Sequence, residues 1–520
     1  MPIVGPPLEE PINLPFILEA GLREKPDCDA LVSLRRRWTW RELDRASDNM
    51  AGNYLQLGLR PGDRVASFMP NRTELLAHYL ACMKCGLVAV PLNYRYMAPE
   101  VDRALSIAEP RLLLVHEERL GDLEASALAG KIALGRVVFD DDWDKGGPNS
   151  GGYPSFLSLV AEDSGTGFEP PKPDDPVILF FTSGSTGKPK GVCHSFETLG
   201  WIVASAVRSF EMSADDIMVP GGSISHVGGH HLSMMTLASC GRVVLPRTFD
   251  ADEILPLLRR ERPTKMWMLP SALYALARDH GARHADFSSV KACFSGGDKV
   301  SAALEEEFTR LTGVAIAEDY GMTEIGIPTV TPPAALKIGS VGPLAPGYRI
   351  SLRDGDRREV ADGQDGRLWI DFPGNMVGYW NNPEATAETV VDGWLDTGDV
   401  MSIDGDGYLW FHGRQKQIII HDGSNICPQE VEAALLEHPA VAGAGVVGVQ
   451  NRLHGENVRA YVTLESGTEA LPMQELIRFA RERVGYKAPE EIVFLDEMPL
   501  NPTGKVDRVT LKKMAADRGI

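Results

Sequence analysis

The feature that most constrains this chain is the alternation of amphipathic helical runs with short, apolar segments. Thr39-Trp-Arg-Glu42 has the pattern of a capping box, with Thr39 as N-cap and Glu42 reaching back. Leu43, Ala46, Met50, Tyr54 and Leu57 then recur at helical spacing, and Gly58 closes the run. DRVASFM (63–69) predicts a strand, Thr73 to Cys85 a helix, and LVAVPL (87–92) a second strand. PVILFF (176–181) reads as a buried strand of the parallel kind. Helices alternating with buried strands predict an α/β fold of several layers.

The pattern changes twice. Residues 140–175 are rich in Asp, Gly, Pro and Ser and read as a surface linker. After about residue 412 the order becomes strand (QIIIH), helix (PQEVEAALLEH), strands (GAGVVGV, RAYVTL), helix (LPMQELIRFARERV), strand (EIVFLD). A large N-terminal α/β body followed by a small α+β C-terminal lid is expected.

With 520 residues, 43% hydrophobic and 24% charged, the chain is ordinary for a globular protein and long enough for more than one domain. A net charge of −20 argues against nucleic acid or an anionic membrane surface as partner. A polyanionic ligand must therefore meet a local positive site. The seven cysteines are scattered. Cys82 and Cys85 form a lone CxxC inside a helical run, which suits packing rather than zinc. This usage fits a reducing compartment, so a cytoplasmic location is expected. The start, MPIVGPPLEEPINLPF, lacks the basic region of a signal peptide, and no apolar run reaches the roughly 18 residues of a membrane span.

Four constellations could carry chemistry. The loop TSGSTGKPKG follows the apolar strand, and successive backbone N–H groups in such a Gly-rich turn form a nest for anions. Thr182, Ser183, Ser185 and Thr186 add hydroxyls, Gly184 and Gly187 add freedom, and Lys188 and Lys190 add charge. It is not a Walker loop, because Pro189 stands where Ser or Thr should follow Gly-Lys. In Glu318-Asp319-Tyr320-Gly321-Met322-Thr323-Glu324, the Tyr could stack on a planar ligand, the Thr donate to phosphate and the Glu hold magnesium. GWLDTGD and DGDGYLWFHGR supply Asp399 and Arg414, which could grip ribose hydroxyls or form a structural pair. Asp404 and Asp406 read as a strand-to-strand turn, since the closing Glu of a calcium loop is missing. Last, PLNPTGKVDR presents Lys505 on a Pro/Gly-rich turn.

Together TSGSTGKPKG, YGMTE, GSVG, GNMVGYW, GWLDTGD, GSNICPQEVE and NPTGKVDR resemble, in order and spacing over 182–508, the adenylate-forming superfamily, in its acyl-CoA synthetase branch. The resemblance implies ATP, Mg²⁺ and coenzyme A as co-substrates and cofactor, with a small carboxylic acid as substrate. The acid attacks the α-phosphate of ATP, pyrophosphate leaves, and CoA thiol then attacks the acyl-AMP. By resemblance, the Thr182–Lys190 loop holds the departing phosphates, Thr323 touches the α-phosphate and Glu324 binds Mg²⁺. Gly297, Asp298, Glu318, Asp319, Tyr320, Gly321 and Met322 border the nucleotide, and Asp399 and Arg414 hold the ribose. Lys505 bridges carboxylate and phosphate during adenylation. The implied division is a body of residues 1–413, a hinge at 414–417 pivoting on Lys416, and a mobile lid over 418–520, with Asp422 and Gly423 at the thiol tunnel. Family members are often dimers, so a homodimer is an expectation.

For the acid itself, the resemblance puts His226 at the acyl–adenylate boundary; a buried structural His is the competing reading. His230 and His231 follow on its helix. Trp267 either walls the pocket or fills core. Gly221, Gly222, Gly228, Gly229, Gly296 and Gly297 leave room, favouring a bulky or medium-to-long apolar acid. SISHVGG stands where amino-acid adenylation domains carry a pocket Asp, so an amino acid is not expected. No carrier-protein segment follows Ile520, so free CoA is the expected acceptor. Asp298, Glu318 and Asp319 depart from the family pattern, and acids beside a nucleotide disfavour it unless paired. Gln417 likewise replaces a usual Asp just past the pivot. Two alternatives therefore stand open: an enzyme that mainly thioesterifies a preformed acyl-AMP, and a nucleotide-binding regulator without chemistry.

Overall fold

The computed structural model describes residues 2–142, 155–160, 167–182, 189–279, 281–361, 363–415, 417–421, 424–451, 455–468, 471–502 and 504–517. It is a mixed α/β molecule with a large N-terminal part and a smaller C-terminal one. Helix Trp40–Gln56 begins at the capping box: the Glu42 amide donates to Thr39 Oγ1 (3.2 Å) and the Thr39 amide to Glu42 Oε2 (2.9 Å). Helix Thr73–Cys85 has the predicted bounds, and its two cysteines are buried free thiols. Among the described residues no helix is long and apolar enough to cross a membrane.

Two large, mainly parallel sheets lie back to back. One contains Pro176–Thr182 next to Val88–Pro91, Arg64–Phe68 and Leu112–His116; the other runs Ile316–Met322, Ala292–Gly296, Lys265–Met268, Ile217–Gly221. Helices Trp40–Gln56, Thr73–Cys85, Phe196–Ser209 and Val227–Ala238 are packed between them, because one buried cluster draws on all four and on both sheets. Ile178 and Phe180 point into that cluster while Leu179 and Phe181 point into a second one, the signature of a strand covered on both faces. The expected parallel strand at 176–181 is parallel only to Val88–Pro91; its other neighbour, Lys190–Ser195, is antiparallel.

The predicted linker at 140–175 is partly core. Phe156 and Leu159 are buried in the main cluster, and the Asn49 and Asn53 amides donate to the carbonyls of Val160 (2.8 Å) and Leu159 (2.9 Å).

A third, antiparallel sheet carries Trp394–Ile403 and Tyr408–Arg414, and Asp404–Gly407 is the turn joining them. The chain then enters a separate five-stranded sheet built on Val441–Asn451 and Gly455–Leu464, covered by helices Pro428–Leu436 and Met473–Val484. Lys416, between the two sheets, lies outside the described residues.

Candidate active site

The site forms where the parallel strands of the second sheet end at their carboxyl edge, the usual place for a ligand in open α/β sheets. Register puts Gly221 beside Met268, Trp267 beside Phe294, and Gly296 beside Asp319. The C-terminal part closes over this edge. Asn93 Nδ2 donates to the Pro502 carbonyl (3.0 Å), and Arg278 pairs with Glu465.

Lys505 rides on a tight turn. The Asn501 amide donates to the Lys505 carbonyl (2.7 Å), the Lys505 amide to Asn501 Oδ1 (3.1 Å), and Gly504 takes φ +85° to close the reversal. Its ammonium reaches the body: Nζ lies 3.5 Å from where a Cβ on Gly297 would sit. Burial lowers its pKa; the carboxylates of Asp298 and Asp399 oppose that, and the guanidiniums of Arg414 and Arg508 add to it.

Asp399 and Arg414 face each other across adjacent strands, Arg414 Nε being 3.1 Å from Asp399 Oδ1. The Tyr320 hydroxyl donates to Asp399 Oδ2 (2.6 Å), and its ring stacks on Phe411. At 1% exposure Asp399 is pushed up by burial, against which the Arg414 charge works first. Glu324 is also buried and pushed up; its Oε1 accepts from the Tyr379 hydroxyl (2.8 Å). Lys190 Nζ lies 4.4 Å above the Tyr379 ring, so a cation, a phenol and a carboxylate stand in line. Thr323 is buried, and its carbonyl lies 2.8 Å from His194 Nε2.

His226 caps helix Val227–Ala238 through its backbone alone, and burial plus the Lys505 charge lowers its pKa to about 4, so the imidazole is neutral. Trp267 is buried, with the edge of its indole against Gly222 and Gly228. Its Nε1 donates to Asp319 Oδ1 at 2.6 Å. Glu318, one residue earlier and on the opposite face of the strand, accepts from the Val300 amide (3.2 Å). Burial pushes both Glu318 and Asp319 up to about 7. The side chain of Asp319 thus meets Trp267 and Gly296, two residues of the acyl set, while Asp298 stands exposed near Lys505. Gly321 and Met322 end the same strand as Tyr320. Ser183, Gly184, Ser185, Thr186, Gly187 and Lys188 lie outside the described residues, as do Asp422 and Gly423.

Comparison with known proteins decides the family. A model described as AMP-binding enzyme matches residues 18–380, and one described as AMP-binding enzyme C-terminal domain matches 430–505. The chain belongs to the AMP-binding enzyme family, in its acid–CoA ligase branch. It is 33% identical to a feruloyl-CoA synthase from Amycolatopsis sp, over 90% of this chain and 92% of that one. It is 32% identical to an indoleacetate–CoA ligase from Aromatoleum aromaticum, over 96% of each. Among solved structures, an anthranilate CoA ligase in complex with anthranoyl-AMP superposes with a TM-score of 0.90 at 26% identity, covering 98% of both chains.

This AMP-binding enzyme uses residues that the sequence did not single out. Tyr379 stood unassigned in GNMVGYW, and His194 is a buried residue of strand Lys190–Ser195; both lie against the YGMTE segment. Arg508 pairs with buried Glu432 and so ties the Lys505 turn to helix Pro428–Leu436. His230 and His231 are buried on helix Val227–Ala238, edge-on to Phe180. Magnesium suits Glu324: one oriented, buried carboxylate is the contribution such a site makes when substrate phosphates and water supply the remaining ligands.

Proposed function

We propose that this enzyme converts a bulky, apolar, aryl-type carboxylic acid, ATP and CoA into acyl-CoA, AMP and pyrophosphate. The observation that carries the reading is the seat of Lys505. Its ammonium stands at Gly297, on the carboxyl edge that also carries Tyr320, against which Asp399 and Arg414 of the third sheet pack. Two anions must meet in the first half-reaction, so a desolvated cation between them is the strongest available catalyst.

On this assignment Lys505 draws together the acid's carboxylate and the α-phosphate. Thr182, Lys190 and the Gly-rich loop hold the β- and γ-phosphates, Thr323 donates to the α-phosphate, and Asp399 with Arg414 orients the ribose. Magnesium, held by Glu324, neutralises phosphate charge when bound. Neutral His226 bounds the acyl end without adding positive charge. The chain pivots at Lys416, within 414–417, so that Lys505 leaves and the thiol enters past Asp422 and Gly423. The indole of Trp267, flanked by Gly222 and Gly228, supports a flat apolar substrate, as do the names of the feruloyl and indoleacetate relatives. The acids at 318 and 319 argue only weakly for a thioesterification-only enzyme, because burial pushes both up to about 7 and so reduces the negative charge they carry near neutral pH.

Lys505→Ala tests this. Acid-dependent ATP–pyrophosphate exchange should fall at least about 100-fold, while thioester formation from synthetic acyl-AMP and CoA stays close to the parent rate. Equal loss in both half-reactions refutes the role of Lys505. Absence of both AMP and thioester from the parent enzyme with every acid tried refutes the ligase reading.

A further inference from the structure

Asp319 is a buried acid with half of its hydrogen-bonding capacity unused. The residue is 7% exposed. Oδ1 accepts from Trp267 Nε1 at 2.6 Å, and Oδ2 has no hydrogen bond among the described residues. Room for Oδ2 exists only because residue 296 is glycine: a Cβ there would lie 2.4 Å from Oδ2 and 2.8 Å from the Asp319 carbonyl oxygen. Gly222 and Gly228 likewise leave the indole edge uncovered, their Cβ positions falling 3.4 Å and 3.9 Å from it. Gly296 is followed by Gly297, where Lys505 Nζ stands. Consecutive Cα atoms are about 3.8 Å apart, so the free carboxyl oxygen and the ammonium are at most about 13 Å from each other.

We propose that Asp319 recognises a hydrogen-bond donor on the acid substrate, a hydroxyl or amino group at the end of the molecule away from the carboxylate that Lys505 holds. The enzyme is then selective for hydroxyl- or amino-bearing aryl acids. This rests on the ligase reading above and narrows its substrate class.

A purely structural role does not require an acid. The bond to Trp267 needs one acceptor oxygen, which Asn offers without the cost of burying an ionisable group. Glu318 does not share the task, since it faces the other side of the strand and is held by the Val300 amide. A ligand donor completes the pairing of Asp319. An acid lacking the donor leaves Oδ2 desolvated and bare, and sites of that kind reject the deficient analogue far more strongly than an apolar pocket rejects a change of size.

The test uses the purified full-length enzyme with ATP, Mg²⁺ and CoA, and measures kcat/KM for benzoate and cinnamate series. Each series contains the unsubstituted acid and its ring hydroxyl, amino and methoxy derivatives. The expected result is a preference for a hydroxyl or amino acid over its unsubstituted and methoxy partners of about 100-fold or more. The hydroxyl and amino arms tell which donor is read. Asp319→Asn keeps the acceptor for Trp267 and turns the second position into a donor, so the preference should shift to the methoxy acid, an acceptor. Equal turnover of unsubstituted and donor-bearing acids, or an Asn variant with the parent's rank order, overturns the proposal and leaves the ligase reading standing. Absence of AMP with every acid overturns the ligase reading and the proposal with it.

Discussion

Asp319→Asn has a second consequence, measurable without any substrate. The ordinary value for an Asp carboxyl is 3.8, and burial pushes Asp319 to about 7. Between those values the folded protein holds a proton that the unfolded chain has released. The folded state then binds more protons, so stability falls as pH rises from about 4 to about 7 and stays lowered above that. The gap corresponds to about 4 kcal/mol at pH 8, a ceiling because neighbouring Glu318 is raised alongside it. Asn has no such proton to lose and keeps the oxygen that accepts from Trp267. The variant should match the parent near pH 4 and become progressively more stable above pH 5. At pH 8 the gain should raise the melting temperature of the large domain by several degrees. Scanning calorimetry of apoenzyme at pH 5, 6, 7 and 8, at fixed ionic strength, reads this directly. A pH-independent offset, or a variant less stable than the parent at pH 8, would refute the claim that Asp319 is a desolvated acid.

Two further perturbations probe residues that the sequence did not single out. Tyr379→Phe removes the hydroxyl that donates to Glu324, a bond worth about 1 kcal/mol. The Mg²⁺ concentration for half-maximal ATP–pyrophosphate exchange should rise about five-fold, with thioesterification of synthetic acyl-AMP unchanged; no shift in the Mg²⁺ dependence would separate Tyr379 from the metal. Arg508→Gln strips buried Glu432 of its cationic partner and leaves it the Val446 amide. The folded Glu432 carboxyl, already at about 7, rises further, so the lost stability is small at pH 6, where it is protonated, and grows to about 1 kcal/mol at pH 8, one pH unit above that value. Urea unfolding at the two pH values checks this, and an equal loss at both would show that Glu432 is not the group involved.

Local signals were readable wherever the physics is local. The capping box at Thr39, the helix Thr73–Cys85 and the turn at Asp404 follow from residues a few positions apart. The pairing of Asp399 with Arg414 was legible as a motif, but its closure by Tyr320 was not, because that depends on the stacking of two different sheets. Glu318 and Asp319 looked alike in sequence. Strand alternation sends them to opposite faces, and only the register of Ile316–Met322 against Ala292–Gly296 tells which one meets Trp267. Within 140–175 the polar composition hid one buried segment: polar residues outnumber Phe156 and Leu159, yet both of those enter the main cluster.

On the proposed roles, the charges around Lys505 account for one site serving two half-reactions. Asp298 and Asp399 attract the ammonium, Arg414 and Arg508 repel it, and burial tips the balance so that its pKa falls. The closed arrangement therefore holds a cation that the protein alone does not fully compensate. The acid's carboxylate and the nucleotide's phosphates supply the missing negative charge, which makes closure favourable when both are bound. Adenylation then consumes the carboxylate's charge in forming the mixed anhydride, and the departing pyrophosphate carries away most of the rest. What remains near Lys505 is one phosphodiester-like charge shared with Arg414. Rehydrating the ammonium then becomes the better alternative, and on the proposed pivot the lid would be released at the point in the reaction when the thiol needs its place.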